Sequence, residues 1–465
     1  MAVSEPVAQS VASRSEAPLP VPPTVPLPVP PTLPESVPDA RRRGGTRLTP
    51  VWLFWASVLV GVIGGLASTL YLGALSLAAR VLWPDHSSWL VHGFLFIVTG
   101  AVISILLWVL GDPGQTGAMV DDIHARGGPS SVRMLVSLVP VSLLTIAVGA
   151  GIGPEPPLMQ TTGTLGSWTA RRLSADPAQI RVLTVTGMAA GLTVLFAAPL
   201  GAAVFALEIL HRKGLEYYEA LVPACTGSLA SYAVYTLITG RDLTPAWRFP
   251  ASPLQFRPVD LLLGLAAGVG GAAVAHLFGA MIRVLTKWGL LMPGWLRPPI
   301  AGMALALVGL LVPTGLTFGQ DQLGTLVTTA AITAPLLVLT AGGHLLSAAI
   351  PLSARWRGGI IIPMFLVGYC LGRAVLVASG HGAGPLTFAV CMMVACNVGM
   401  TKTPLGSTLV VAQSTGVIAL PAMLVAALVC LSLTTRVTFI GNQRHRHEAT
   451  APTKGPDPCL KAPSS

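Results

Sequence analysis

Long apolar runs, repeated from residue 51 to residue 435, constrain this chain more than any other feature. The first covers about 51–82, and others follow at 90–110, 132–152, 158–170, 182–197, 200–210 and 219–238. The pattern then starts again, at 261–285, 298–313, 324–352, 358–378, 384–400, 404–413 and 416–435. Charged residues make up 10% of the chain and hydrophobic ones 52%, whereas soluble domains carry about 25% charged residues. Such a chain must satisfy its backbone inside a bilayer. Runs this long and continuous do so as helices, not as barrel strands. The expected fold is therefore an all-α polytopic membrane protein. Several runs fall short of the roughly 20 residues a span needs. Gly and Pro interrupt them, which is the pattern of tilted and broken helices around a buried site.

The flanks differ in composition. Residues 1–46 are Pro-rich and are expected to form a disordered cytoplasmic tail without the form of a signal peptide. Arg41, Arg42, Arg43 and Arg47 precede the first run and predict a cytoplasmic N-terminus. Residues 47–440 read as one transmembrane domain. Residues 441–465, with Arg444, His445, Arg446 and His447, read as a flexible basic cytoplasmic tail, too short for a further soluble domain. The net charge of +10, much of it outside the runs, suits flanks beside the anionic lipid of a plasma membrane and not nucleic acid. The six cysteines are scattered without a C-x-x-C pair, and the nine histidines lack metal spacing, so no metal or cofactor is expected. No H-E-x-x-H or G-x-S-x-G motif is present, and an enzyme is not expected.

The second half lies over the first at a nearly fixed offset. Gly64-Gly65 and Gly73-Ala74 match Gly270-Gly271 and Gly279-Ala280, 206 positions on; Pro157 matches Pro363 at the same distance. Gly114-Gln115 matches Gly319-Gln320, and Pro199-Leu200-Gly201 matches Pro404-Leu405-Gly406, both 205 positions on. This predicts an internal repeat, with repeat 1 at about 50–240 and repeat 2 at about 255–440. If the two halves cross the membrane in opposite senses, the ion site lies between them, built from half-helix ends.

Carboxylates are rare in the apolar runs. Within those of the first half only Glu155 and Glu208 stand out, and no acid occurs between Asp321 and Glu448. An ionisable residue at membrane depth marks a functional site by default. Glu155 sits in Gly153-Pro154-Glu155-Pro156-Pro157, where the prolines suit a first helical turn. The positive end of that helix would face any bound anion. In the other half, Gly358-Gly359-Ile360-Ile361-Ile362-Pro363 has the same character. Two such ends, converging, hold an anion without a full positive charge, which would bind it too tightly for fast release. Glu155 is then a gate, a tethered anion competing for the site. Gly153, Pro154, Pro156, Gly359, Ile360, Ile361 and Ile362 are the expected lining, and Gln115 and Thr116 either add an amide or hydroxyl donor or serve ordinary turn chemistry. Glu208 is either an interfacial carboxylate paired with the adjacent base or part of a proton or anion path. Tyr369 is read as a packing residue.

These stretches resemble the CLC family of chloride channels and chloride/proton antiporters. Gly153-Pro154-Glu155-Pro156-Pro157 resembles the family's G-[K/R]-E-G-P motif, whose glutamate is the gate. Gly359-Ile360-Ile361-Ile362-Pro363 resembles its G-x-F-x-P motif, which lends amides to the central anion. Gly187-Met188-Ala189-Ala190-Gly191 and Ala198-Pro199-Leu200 resemble the stretch that follows the first motif. The resemblance implies a CLC-like fold of two inverted repeats, a homodimer in which each subunit has its own pore, and chloride, with or without protons, as the partner. It implies a member without the C-terminal CBS domains of larger relatives. The departures are specific. Pro154 and Pro156 replace a basic residue and a glycine, and Ile361 replaces the aromatic. The family's pore serine falls on Gln115 by the repeat or on Thr116 by the motif, with Thr116 preferred for its hydroxyl. The late pore tyrosine has only Phe439 as a loose substitute. The inner proton glutamate of exchangers falls on Ile209, which tilts the expectation toward passive conduction over antiport. The alternative function is a secondary transporter for a different ion or a small organic anion.

Overall fold

The computed structural model describes residues 47–83, 89–211, 217–240, 247, 249, 256–329, 331–381, 386–437, 439–440 and 443. The 1–46 tail, the 441–465 tail except Gln443, Arg212, Lys213 and most of the 241–255 segment lie outside them. Sixteen α-helices are present among the described residues. Repeat 1 holds α1 (Pro50–Leu82), α2 (Trp89–Leu110), α3 (Thr116–Arg126), α4 (Leu135–Ala147), α5 (Glu155–Arg172), α6 (Pro177–Phe196), α7 (Pro199–Glu208) and α8 (Leu221–Thr239). Repeat 2 holds α9 (Val259–Leu290), α10 (Arg297–Leu311), α11 (Gln320–Thr328), α12 (Ala334–Ser353), α13 (Ile361–Ala378), α14 (Thr387–Thr401), α15 (Pro404–Thr415) and α16 (Leu420–Leu433).

Among the described residues, seven helices are long and apolar enough to cross a membrane, and five apolar ones are shorter. At 1.5 Å per residue, α1 is about 50 Å long against a hydrocarbon core of about 30 Å, so it must tilt. Trp108, Leu237 and Leu70 stand exposed on outer helices, the belt a bilayer would cover. In contrast, α6 is almost wholly buried.

Local signals set the helix ends. Asp176 caps α6 by accepting the Gln179 N–H at 2.8 Å, with Pro177 at the first helical position. The ends of α6 and α14 are built alike: Ala197 and Lys402 take left-handed backbone angles (φ 53° and 63°), and Pro199 and Pro404 start the next helix.

The repeats are related by a two-fold axis. Gly153 and Gly359, equivalent positions, exchange reciprocal backbone bonds of 2.8 and 2.7 Å in an isolated antiparallel bridge. A reciprocal antiparallel pair has a local two-fold axis, which fits an inverted relation of the two halves. The pair α7 and α15 repeats the relation: a Cβ on Gly201 would meet Val410 N at 2.9 Å, and one on Gly406 would overlap Phe205. The glycine pattern has the same origin. Gly64 lets α1 approach Ala190 of α6, and Gly270 lets α9 approach Met392 of α14.

Two elements differ from the run pattern. The segment after Gly114, which falls in none of the apolar runs, contains α3, because Met119, Val120 and Ile123 recur on one buried face despite the adjacent acids. The single run 324–352 is two helices, α11 and α12, parted before Pro335, which sits in the first turn of α12.

Candidate functional site: a carboxylate on two helix ends

α5 and α13 start beside the Gly153–Gly359 bridge. Pro154 is the N-cap of α5 and Glu155 its first residue; Ile360 is the N-cap of α13. The Glu155 side chain is fully buried. Its Oε1 accepts the Ile362 N–H at 2.6 Å, in the first turn of α13. Its Oε2 is buried without a hydrogen-bond partner. The carboxylate thus belongs by sequence to one repeat and is bonded to the helix end of the other. Both bridge glycines make room for it. A Cβ on Gly153 would lie 2.6 Å from Oε1, and one on Gly359 would lie 2.5 Å from Oε2 and closer still to the Pro156 ring.

The prolines make the two ends unequal. Pro154, Pro156 and Pro157 have no N–H, and the Leu158 N–H is used on Pro154 O at 2.9 Å. Pro154 and Pro156, expected to help hold an anion, therefore bring no donor. Apart from the backbone N–H of Glu155 itself, donation falls to α13, where Ile360, Ile361 and Ile362 are all buried.

Thr116 and Gln115 separate. Gln115 is the exposed N-cap of α3, with no side-chain capping bond. Thr116 is half-buried and accepts the Gln160 amide of α5 at 3.2 Å, which ties the start of α3 to α5. Along α5, Gln160 Oε1, Thr161 Oγ1 and Thr164 Oγ1 are buried without hydrogen-bond partners, groups able to coordinate a passing ion or water.

Glu208 ends α7 and is buried. Its oxygens accept the Leu405 N–H at 3.1 Å and the Gly406 N–H at 2.7 Å, in the first turn of α15. It repeats, at a second place, the cross-repeat relation of Glu155. Ile209 beside it is buried. Tyr369 packs against Phe249 and donates weakly to Leu326 O at 3.4 Å, and Phe439 packs against Phe278.

Two features of the site escape a linear reading. Tyr71 of α1 is buried, its hydroxyl 2.8 Å from Ser142 Oγ of α4. The spacing Gly64, Ser68, Tyr71, Leu75, one buried face of α1, was its only signal. The second is an ion-pair cluster: Asp112, before α3, pairs with Arg355 and Arg357, before α13. Burial alone would raise the Asp112 carboxyl, but Arg357, Arg355 and the Gly114 N–H outweigh it and hold it down at about 2. A depressed carboxyl stabilises the fold above its ordinary value and loses that contribution as pH falls through about 2, so the cluster persists at neutral pH.

Fold and site together define a polytopic helical membrane protein of the inverted-repeat class, with a buried carboxylate on a helix N-terminus where the repeats meet. The chain belongs to the CLC family: the sequence pattern described as voltage gated chloride channel matches residues 112–434. Among curated proteins it is 24% identical, over 82% of its length and 83% of the relative's, to a chloride/fluoride channel protein of Pseudomonas syringae pv. tomato. It is 25% identical, over 85% of its length and 88% of the relative's, to the H(+)/Cl(-) exchange transporter ClcA of Cronobacter sakazakii. Among solved structures, a CLC-type fluoride/proton antiporter superposes with a TM-score of 0.73 at 19% identity, over 86% of this chain and 100% of that one. A slow cyanobacterial Cl-/H+ antiporter gives 0.71 at 20% identity, over 84% and 96%.

Proposed function

We propose that this protein carries chloride or a similar small inorganic anion across the plasma membrane, through a site at the first turn of α13, with Glu155 as its gate. The observation that carries the reading is the Glu155 Oε1 seated on the Ile362 N–H, with its second oxygen buried and unpartnered. That amide is the donor an anion would use, and the carboxylate is its tethered competitor. Protonation removes the charge that competes, and an arriving anion displaces the side chain. The proline-stiffened backbone around Glu155 supports gating by side-chain rotation.

Glu155→Gln tests the gate. In liposomes the variant is expected to keep anion flux and to lose its dependence on pH. A variant as pH-dependent as the wild type would count against the proposal, as would loss of all flux from a folded protein.

Passive conduction is the preferred mode, because Ile209 occupies the position of the exchangers' inner glutamate. Both Glu208 oxygens are engaged by α15 backbone amides, which supports a structural role over proton transfer there. A reversal potential that follows only the chloride gradient is expected. A shift with an imposed proton gradient would establish antiport and return Glu208 to the proton path. The chain is further proposed to work as a lipid-embedded homodimer with one site per protomer. Its single transmembrane domain, residues 47–440, would lie between cytoplasmic tails at 1–46 and 441–465. Flux assays with fluoride, nitrate, sodium and small organic acids distinguish this from the alternative, transport of a different ion.

A further inference from the structure

The Asp112 carboxylate collects three N–H donors from two loops. The Gly114 N–H donates to Oδ1 at 3.0 Å, Arg355 Nη2 to Oδ2 at 2.9 Å, and Arg357 Nη2 to Oδ1. Two guanidinium groups against one carboxylate leave the cluster with an excess positive charge. The members differ in cover. The Arg357 side chain is 8% exposed and its Nε is buried without a hydrogen-bond partner, whereas the Asp112 side chain is 36% exposed. Asp112 also lines an open cavity of about 410 Å³, beside Asp122, Ser130, Ser131 and Arg133. Arg357 is therefore held in place, while Asp112 and Arg355, both 36% exposed, have water within reach.

Position links this cluster to the anion site. Arg357 is followed directly by Gly358-Gly359, which lead into α13, and Asp112 precedes Thr116, the first residue of α3, by four positions. The loops joined by the ion pair are those that lead into α3 and α13. A pair needed only to fasten them would balance one charge with one. Here a second arginine is added, in a half of the chain that has no carboxylate after Asp321 among its apolar helices.

We propose that Arg355, Arg357 and the Gly114 N–H form a recruitment site for a small inorganic anion at the mouth between the α3 and α13 loops, and that Asp112 is the tethered anion an incoming ion displaces. The inference rests on the anion-transport reading above. The exchange swaps one anion for another and needs no proton. Asp112 offsets one of the two cations, and the single excess charge attracts an anion without trapping it.

The test is the initial chloride efflux rate against chloride concentration, for the full chain in liposomes. Wild-type protein that passes neither chloride nor fluoride would defeat the transport reading itself. Given wild-type flux, Asp112→Asn is expected to lower the half-saturating chloride concentration about three-fold, and Arg357→Gln to raise it about ten-fold. Arg355→Gln, at a more exposed position, should raise it by a smaller factor and serves if Arg357→Gln does not fold. The opposite signs are the signature. A purely structural pair predicts that both kinds of change lose flux together and that Asp112→Arg with Arg357→Asp restores it. That result, or an unchanged half-saturating concentration in all variants, would overturn the proposal.

Discussion

Gly359→Ala is expected to cut anion flux about 100-fold while leaving a folded protein, because catalytic and binding geometry of this kind tolerates displacements well below about 1 Å. The new Cβ would meet Glu155 Oε2 at 2.5 Å and overlap the Pro156 ring. Neither can yield cheaply. The proline ring is fixed to the start of α5, and the carboxylate is held by the Ile362 N–H. The Gly153–Gly359 bridge would have to open, which separates the α13 amides from the end of α5. Gly342 of α12 is the control, since a Cβ there meets nothing within 4 Å. Gly342→Ala should transport as the wild type does. Flux measured with a chloride-selective electrode, beside size-exclusion profiles in detergent, reads both outcomes. Full flux from Gly359→Ala would mean that the two helix ends need not meet for transport.

The second large effect is on stability. Lys402→Met should cost about 3 kcal/mol of unfolding free energy, through buried acceptors left without their donor. Lys402 Nζ donates to Gly399 O at 2.7 Å and to Thr434 O and Oγ1 at 2.8 Å each. Gly399 lies in the last turn of α14, and Thr434 caps α16. The ammonium therefore sits between two helix C-termini, where the negative dipole ends favour it. Lys402 also has a left-handed backbone (φ 63°), which costs a non-glycine residue about 1 kcal/mol. Lys402→Gly removes that strain along with the ammonium and should be less damaging than Lys402→Met by about 1 kcal/mol. Unfolding midpoints in one detergent order the three proteins as wild type, Gly variant, Met variant. A Met variant as stable as the wild type would show that the helix ends do not depend on the ammonium.

Much of this protein can be read along the chain. Apolar runs with 10% charge allow only membrane helices, since a bilayer offers no partner to an unpaired backbone. The offset of 206 between Gly153 and Gly359 pairs two residues that the fold then joins by reciprocal hydrogen bonds. Glu155 stood out because charge is costly at membrane depth, whatever its neighbours. α3 was missed because its apolar face is only three residues deep and lies among Asp121, Asp122 and Arg126.

What the chain alone left open concerns contacts between residues far apart in it. Sequence places Glu155 at the start of α5 but does not say that its bond goes to α13, 207 residues away. Pro154 and Pro156 looked like lining for an anion; the convergence of the two ends is what assigns donation to the α13 amides. Asp112, Arg355 and Arg357 lie far apart in the chain, and only the packing of the helices brings their loops together. Local composition and spacing determine which segments are helices and which charges are costly, because those depend on neighbours in sequence. Which donor meets which acceptor depends on how the helices pack, and here that was decided by the tertiary structure alone.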